Sequence, residues 1–75
     1  MPKLPSISGE RLIRALKRAG FLELRQKGSH VSLEKRTPEK TFRTVVPMHH
    51  SLAKGTLSDI LRQTGLNIEQ LLDLL

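Results

Sequence analysis

The feature that most constrains the fold of this sequence is a change of hydrophobic period at Gly20. Before Gly20, apolar residues recur at the spacing of one face of an α-helix: Leu12, Ile13, Leu16 and Ala19. After it, apolar and polar residues alternate with a period of two, as they do in a half-buried β-strand. A helix that leads directly into strands predicts an α+β domain.

Both ends of this first helix carry sequence signals. Ser8 is a good N-cap, because its hydroxyl can accept a hydrogen bond from a free backbone N–H of the first turn. Gly20 can take the left-handed conformation that follows many helices, and Phe21 can then pack back on Leu16 in a Schellman motif. The sequence therefore predicts a helix that begins after Ser8 and ends before Gly20.

The alternating segment predicts three antiparallel strands. Its alternating positions are Leu22 and Leu24, then Val31 and Leu33, then Phe42, Thr44 and Val46. Lys27 and Gly28 supply a turn between the first two strands. Pro47 ends the third strand, because proline has no N–H for the sheet.

Two more helices are predicted after the sheet. Thr56 is the expected N-cap of the first of them, which carries Leu57, Ile60 and Leu61 and ends at Gly65. Asn67 and Gln70 form a capping-box pattern for a short last helix with three leucines, Leu71, Leu72 and Leu75. The predicted order is α-β-β-β-α with an extra short C-terminal helix, in a single domain that spans residues 1–75.

A three-stranded sheet of this kind can bury only one face under its helices, and the other face stays open. If Val31 and Leu33 face the helices, the pleat sends the other residues of that strand to the open face: His30, Ser32 and Glu34. Arg43 of the third strand is expected on the same face. His30 is therefore predicted to be exposed among basic residues, and not to be a core histidine.

The charge of the chain is concentrated in its first two-thirds. Through Lys54 there are twelve lysines and arginines against four glutamates, whereas the remainder holds one arginine against three acidic residues. Such a surface favours a polyanion such as RNA, since each neutralised phosphate releases condensed counterions. A charge that serves only solubility is the alternative.

The chain contains no cysteine, no apolar start typical of a signal peptide and no apolar run long enough to span a bilayer. We therefore expect a cytoplasmic protein without a membrane partner. We also expect no metal, because His49 and His50 are adjacent and have no further ligand at metal spacing. No cofactor is expected, because no phosphate-loop or dinucleotide fingerprint occurs.

The chemistry open to His30 is proton transfer. Histidine has an unperturbed pKa of about 6.5, so it can take or give a proton near neutral pH. In RNA it could remove the proton of a ribose 2′-OH that attacks the adjacent phosphate, or protonate the leaving oxygen, and the sequence leaves both roles open. Arg25, Lys27 and Arg43 are candidate phosphate contacts, and backbone N–H groups at Gly28 could approach a phosphate closely.

Two stretches, "SGERLIRALKRAGFLELRQKGSHVSL" and "VVPMHHSLAKGTLSDILRQTGL", together resemble the HicA family of toxins over roughly residues 8–66. The motifs that carry the resemblance are Gly20-Phe21, Gly28-Ser29-His30, Val46-Pro47 with His49 just after, and Gly55-Thr56-Leu57 leading into Ile60-Leu61-Arg62-Gln63. Their ordered combination is far more specific than any one of them.

This resemblance implies a fold like that of double-stranded-RNA-binding domains and metal-independent cleavage of mRNA. It also implies a HicB-family antitoxin that covers the active surface of the toxin. Carried over by motif, the catalytic histidine is His30, and Gly28 and Ser29 complete the turn that is expected to contact RNA. His49 matches a family position after the proline and is a candidate RNA or antitoxin contact, with a solvated loop histidine as the alternative.

Two other classes of function fit the same residues. A non-catalytic module could hold double-stranded RNA by shape through the same fold. A protein-interaction domain could instead use the basic face to bind an acidic partner. An assay of RNA binding and cleavage distinguishes the three. A nuclease cleaves RNA, a non-catalytic module binds RNA without cleaving it, and a protein-interaction domain does neither.

Overall fold

The computed structural model describes residues 3–75 of the chain. Its elements are, in order, α1 (Gly9–Arg18), β1 (Leu22–Lys27), β2 (His30–Arg36), β3 (Thr41–Pro47), α2 (Lys54–Thr64) and α3 (Ile68–Leu74). The strands form one antiparallel sheet in the order β1-β2-β3. This confirms the predicted α+β fold, in which the α-β-β-β-α order of a double-stranded-RNA-binding-like domain is followed by one short extra helix.

The predicted ends of α1 are both confirmed. The hydroxyl of Ser8 accepts a hydrogen bond from the N–H of Arg11 at 3.1 Å. At the other end Gly20 has a φ of 99°, a conformation that strains any residue with a Cβ. The N–H of Phe21 then donates to the carbonyl of Leu16 at 3.0 Å, which is the long hydrogen bond of a Schellman motif.

The start of α2 differs from the prediction. The N-cap is Ala53, which makes no side-chain capping bond, and the helix begins at Lys54, so Thr56 lies inside its first turn. The preceding Leu52 is buried, and its N–H donates to the carbonyl of Ile7 at 2.9 Å. This tertiary anchor fixes where the chain enters the helix, and it overrides the local preference of threonine for a capping position.

The short helix α3 closes the domain. Its capping box is confirmed: Asn67 and Gln70 exchange two side chain to backbone hydrogen bonds of 2.9 and 2.7 Å. Leu71 is fully buried, whereas Leu72 is 42% exposed and does not join the core. The last leucines, Leu74 and Leu75, pack against the core from its edge. Leu71, Leu74 and Leu75 therefore pack on their own chain, whereas Leu72 remains partly exposed.

One hydrophobic core lies between the sheet and the helices. Its sheet residues are Val31, Leu33 and Val46; its helix residues are Leu12, Ile13, Ala15, Leu16, Leu57, Ile60, Leu61 and Leu71; and Ile7, Phe21 and Leu52 complete it from connecting segments. None of the helices within residues 3–75 is long and apolar enough to cross a membrane. All of this apolar surface lies on one side of the sheet, and in the part of the chain that the structure describes the opposite face is left open.

The alternation in β1 is interrupted by a β-bulge. Leu22 pairs with Glu34 and Arg25 pairs with Ser32, so that Leu24 is the extra residue. The bulge puts both Leu22 and Arg25 opposite residues of the open face, although three positions separate them. Leu22 and Leu24 are consequently 71% and 56% exposed and do not contribute to the core.

Candidate nucleic-acid interface

His30 is the first residue of β2 and its side chain is exposed, as the strand pattern predicted. It lies between Lys27 of β1 and Pro47 of β3 in the register of the sheet. The connecting turn consists of Gly28 and Ser29, one residue later than the predicted Lys27-Gly28 turn. Lys27 therefore belongs to a strand and lies directly beside His30.

The turn leaves its backbone accessible. Gly28 has a φ of 60°, and a Cβ placed on it would meet no atom within 4 Å. Glycine at this position thus satisfies the left-handed conformation, and the space around it is open to solvent. A phosphate oxygen could approach the turn on this side of Gly28.

Three segments of the chain are joined next to this turn. The N–H of Met48 donates to the carbonyl of Ser29 at 2.6 Å, and the N–H of Gly9 donates to the carbonyl of His49 at 2.9 Å. A Cβ on Gly9 would overlap the carbonyl oxygen of Pro47. The start of α1 therefore holds the loop after β3, and that loop holds the turn that carries His30, in each case through a backbone hydrogen bond.

The other two histidines lie in this loop. His49 and His50 are both exposed, and His49 is anchored through its backbone carbonyl, not through its ring. The loop leaves the sheet at Pro47, which is the cross-strand partner of His30. His49 is therefore brought to the same end of the sheet as His30. Among the residues that the structure describes, no three His, Cys, Asp or Glu side chains could together hold a metal ion.

The open face of the sheet is organised in rows of cross-strand neighbours. From the His30 end these rows are Lys27, His30 and Pro47; then Arg25, Ser32 and Val45; then Leu22, Glu34 and Arg43. Arg25 is one row from His30. Arg43 is two rows away, about 13 Å along the strand at about 3.3 Å per residue. The predicted contacts thus share one face, but Arg43 does not lie at the histidine.

Glu34 is the most buried polar residue of the open face, at 7% exposure. One of its carboxylate oxygens accepts from Nε of Arg36 at 2.6 Å, and the other accepts from Nε of Arg43 at 2.7 Å. These hydrogen bonds from Arg36 and Arg43 hold the pKa of Glu34 below its usual range, although partial burial opposes the shift. Arg36 was not predicted as part of the site, although the period of two places it on the face of Glu34.

Exposed apolar side chains lie between these charges. Leu24, Arg25, Ser32, Arg43 and Val45 line one open depression on the surface. Val45 is 48% exposed, and it is a cross-strand neighbour of Ser32, as Arg25 is on the other side. Leu24 also lines a second depression with Leu22, and these three exposed side chains are called the apolar patch (Leu22, Leu24 and Val45).

The fold and this surface define the class of the molecule as a small basic α+β domain with one open, strongly charged sheet face. A family model described as "HicA toxin of bacterial toxin-antitoxin" matches residues 9–66. The chain therefore belongs to the HicA toxin family, as its motifs predicted. A comparison with curated proteins finds no match. Membership of this family implies a toxin that has an antitoxin as its partner.

Proposed function

We propose that this toxin is a metal-independent endoribonuclease that cleaves mRNA in the cytoplasm, with His30 as its general acid–base. The observation that carries the proposal is the position of His30, which is exposed on the open sheet face, directly beside Lys27 and at the end of an accessible glycine turn. A histidine buried in the core could not reach an RNA phosphate.

The reaction is attack of a ribose 2′-OH on the adjacent phosphorus. The bond from O2′ to phosphorus forms, the bond from phosphorus to O5′ breaks, the 2′-OH proton leaves to a base, and O5′ takes up a proton. The His30 imidazole can perform either proton transfer. Lys27 and the backbone N–H groups of Gly28 and Ser29 stabilise the charge that develops on the phosphate oxygens. Arg25, one row away, binds the RNA backbone, and His49 does so from the loop beyond Pro47.

We further propose that the antitoxin partner belongs to the HicB family and covers this open face. The apolar patch (Leu22, Leu24 and Val45) supports such a contact, because the centre of a protein interface is usually apolar and its rim polar. The surrounding rim carries Arg25, Arg36 and Arg43, so the complementary surface of the antitoxin is acidic. Such a partner excludes RNA from His30 by occupying the same face.

The test is RNA cleavage by the purified toxin in excess EDTA, compared with His30→Ala. We expect cleavage by the wild type and its loss in His30→Ala, while binding of RNA by the variant persists. His50→Ala is the matched control, because His50 is also an exposed histidine but has no role in the proposed site; it should cleave normally. Equal cleavage by the wild type and His30→Ala would remove His30 from the mechanism.

A second candidate is a module that binds double-stranded RNA without cleaving it. The α-β-β-β-α order of the fold favours it. The same experiment distinguishes the two, since such a module would bind RNA in every sample and cleave it in none. If the protein neither binds nor cleaves RNA, a protein-interaction role on the basic face gains support.

A further inference from the structure

We propose that Glu34 is a positioning residue that holds Arg36 and Arg43 as a paired binding site for an RNA phosphate some distance from the reacting one. The inference rests on the proposed function, because it assigns a second RNA contact on the same open face. It concerns three residues that the cleavage chemistry does not use.

The geometry of the cluster leaves its binding groups available. Glu34 engages each arginine through Nε alone, at 2.6 Å for Arg36 and 2.7 Å for Arg43. Within residues 3–75 the terminal nitrogens of these two guanidinium groups make no side-chain hydrogen bond. The two arginine side chains are 76% and 71% exposed. Both guanidinium groups therefore present free N–H donors to solvent in a fixed orientation.

A planar guanidinium with free terminal N–H groups matches the geometry of a phosphate, which it can bind through two parallel hydrogen bonds. Long arginine side chains ordinarily lose rotamer freedom when they bind, and this loss weakens binding. Here Glu34 orders both side chains before any ligand arrives. Because two arginines share one carboxylate, the cluster also keeps a net positive charge that an anion can neutralise.

The alternative role for Glu34 is simple neutralisation of the two arginines. Under that alternative, removal of the Glu34 carboxylate would strengthen RNA binding, because the net charge of the basic face rises by one. Under the positioning role its removal weakens binding, because two ordered donors become mobile. The two roles thus predict changes of opposite sign. The low exposure of Glu34, together with its short hydrogen bonds to both arginines, favours positioning.

The location of the pair fixes which kinetic constant it affects. Glu34 lies four residues from His30 along β2, or about 13 Å at the rise of a strand. A phosphate held there is not the one that reacts at His30, so it contributes the same binding energy to the ground state and to the transition state. Loss of the pair should therefore raise KM and leave kcat unchanged.

The experiment compares Glu34→Gln with Glu10→Gln. Glu10 is a matched control, because its carboxylate also pairs with an arginine, Arg14, at 2.6 Å, but on the exposed surface of α1. Both variants change the charge by the same amount. The readouts are kcat and KM for RNA cleavage, and affinity for a labelled, uncleavable 2′-O-methyl oligoribonucleotide of mixed sequence.

We expect Glu34→Gln to raise KM and to weaken binding about fivefold while kcat stays the same. Glu10→Gln should bind as well as the wild type or slightly better. In a background that already carries Arg36→Gln and Arg43→Gln, Glu34→Gln should have no further effect, and this shows that Glu34 acts through the arginines.

Two results would overturn the inference while the proposed function stands. One is unchanged or tighter binding by Glu34→Gln, in parallel with Glu10→Gln. The other is a fall of kcat at constant KM, which would place Glu34 at the reacting phosphate. If the wild type itself neither binds the oligoribonucleotide nor cleaves RNA, the proposed function and this inference fail together.

Discussion

The amide of Met48 donates a 2.6 Å hydrogen bond to the carbonyl of Ser29, and this bond joins the loop after β3 to the turn that carries His30. Both partners are backbone groups, so the link does not depend on the side chains at either position. It continues the sheet beyond Pro47, where proline has no N–H to donate. The position of His30 is therefore determined by the fold, and the tolerance of this turn to substitution can be tested.

The left-handed conformation of Gly28 predicts the first outcome. Gly28→Ala should lower the free energy of unfolding by about 1 kcal/mol, because a residue with a Cβ is strained at a φ of 60° even where space is free. Gly55→Ala is the matched control, since Gly55 also has open space around it but lies in α2 with ordinary helical conformation. It should keep or raise the stability. Urea denaturation of both variants measures the difference, and equal effects would contradict the explanation.

The sequence predicted those parts of the fold that local chemistry determines. Ser8 and Gly20 mark the ends of α1 because capping and left-handed backbone are decided by near neighbours. The prediction that Thr56 caps α2 was wrong, because the start of that helix is set by the burial of Leu52, a tertiary contact that the local sequence does not show. The bulge in β1, which exposes Leu22, follows from pairing with β2 and leaves no signal in the alternation itself.

The candidate site was predictable to a similar extent. A period of two suffices to put His30 and Glu34 on the same face of β2. It does not show that Glu34 is covered by its neighbours, because this depends on side-chain conformations across two strands. Arg36 was not among the predicted contacts, although the same period puts it on this face, because it is the last residue of β2 and strand ends are poorly marked by local pattern. Arg43 was predicted on the same face, and the register puts it two rows from His30.

Glu34 predicts how the stability of the protein depends on pH. Its pKa is lowered in the folded state by Arg36 and Arg43, so its contribution to stability is present above the unfolded carboxyl pKa of about 4.3. That contribution is lost as the pH falls through the lowered folded pKa. The wild type should therefore be more stable than Glu34→Gln at pH 7, and the difference should disappear in acid.

Thermal unfolding of both proteins across this pH range provides the measurement. Glu10→Gln serves as the comparison, because both members of its ion pair with Arg14 are highly exposed and such pairs contribute little. A difference between the wild type and Glu34→Gln that persists unchanged into acid would show that it does not arise from the ionised carboxylate.

The C-terminal leucines give a prediction about the core. Leu71→Ala should reduce the free energy of unfolding by about 2–5 kcal/mol, because Leu71 is fully buried and its truncation leaves a cavity. Leu72→Ala, one residue further along α3, should reduce it by only about 1 kcal/mol or less, because Leu72 is 42% exposed and lies outside the core cluster. Chemical denaturation of the two variants tests this difference, and comparable losses would contradict the packing of α3.

The apolar patch predicts a substitution that weakens binding of the antitoxin and leaves the stability of the toxin nearly unchanged. Leu24→Ser should weaken the complex with the proposed HicB-family antitoxin about tenfold or more, as loss of a side chain at an interface centre often does. It should leave the free energy of unfolding nearly unchanged, because Leu24 is more than half exposed in the free toxin. Titration calorimetry with the antitoxin measures the affinity, and Leu72→Ser is the matched control, since Leu72 is a comparably exposed leucine on α3. If Leu24→Ser binds as tightly as the wild type, the antitoxin does not use this patch. If Leu72→Ser weakens binding equally, the contact extends to the helical side of the domain, and the open sheet face is not its centre.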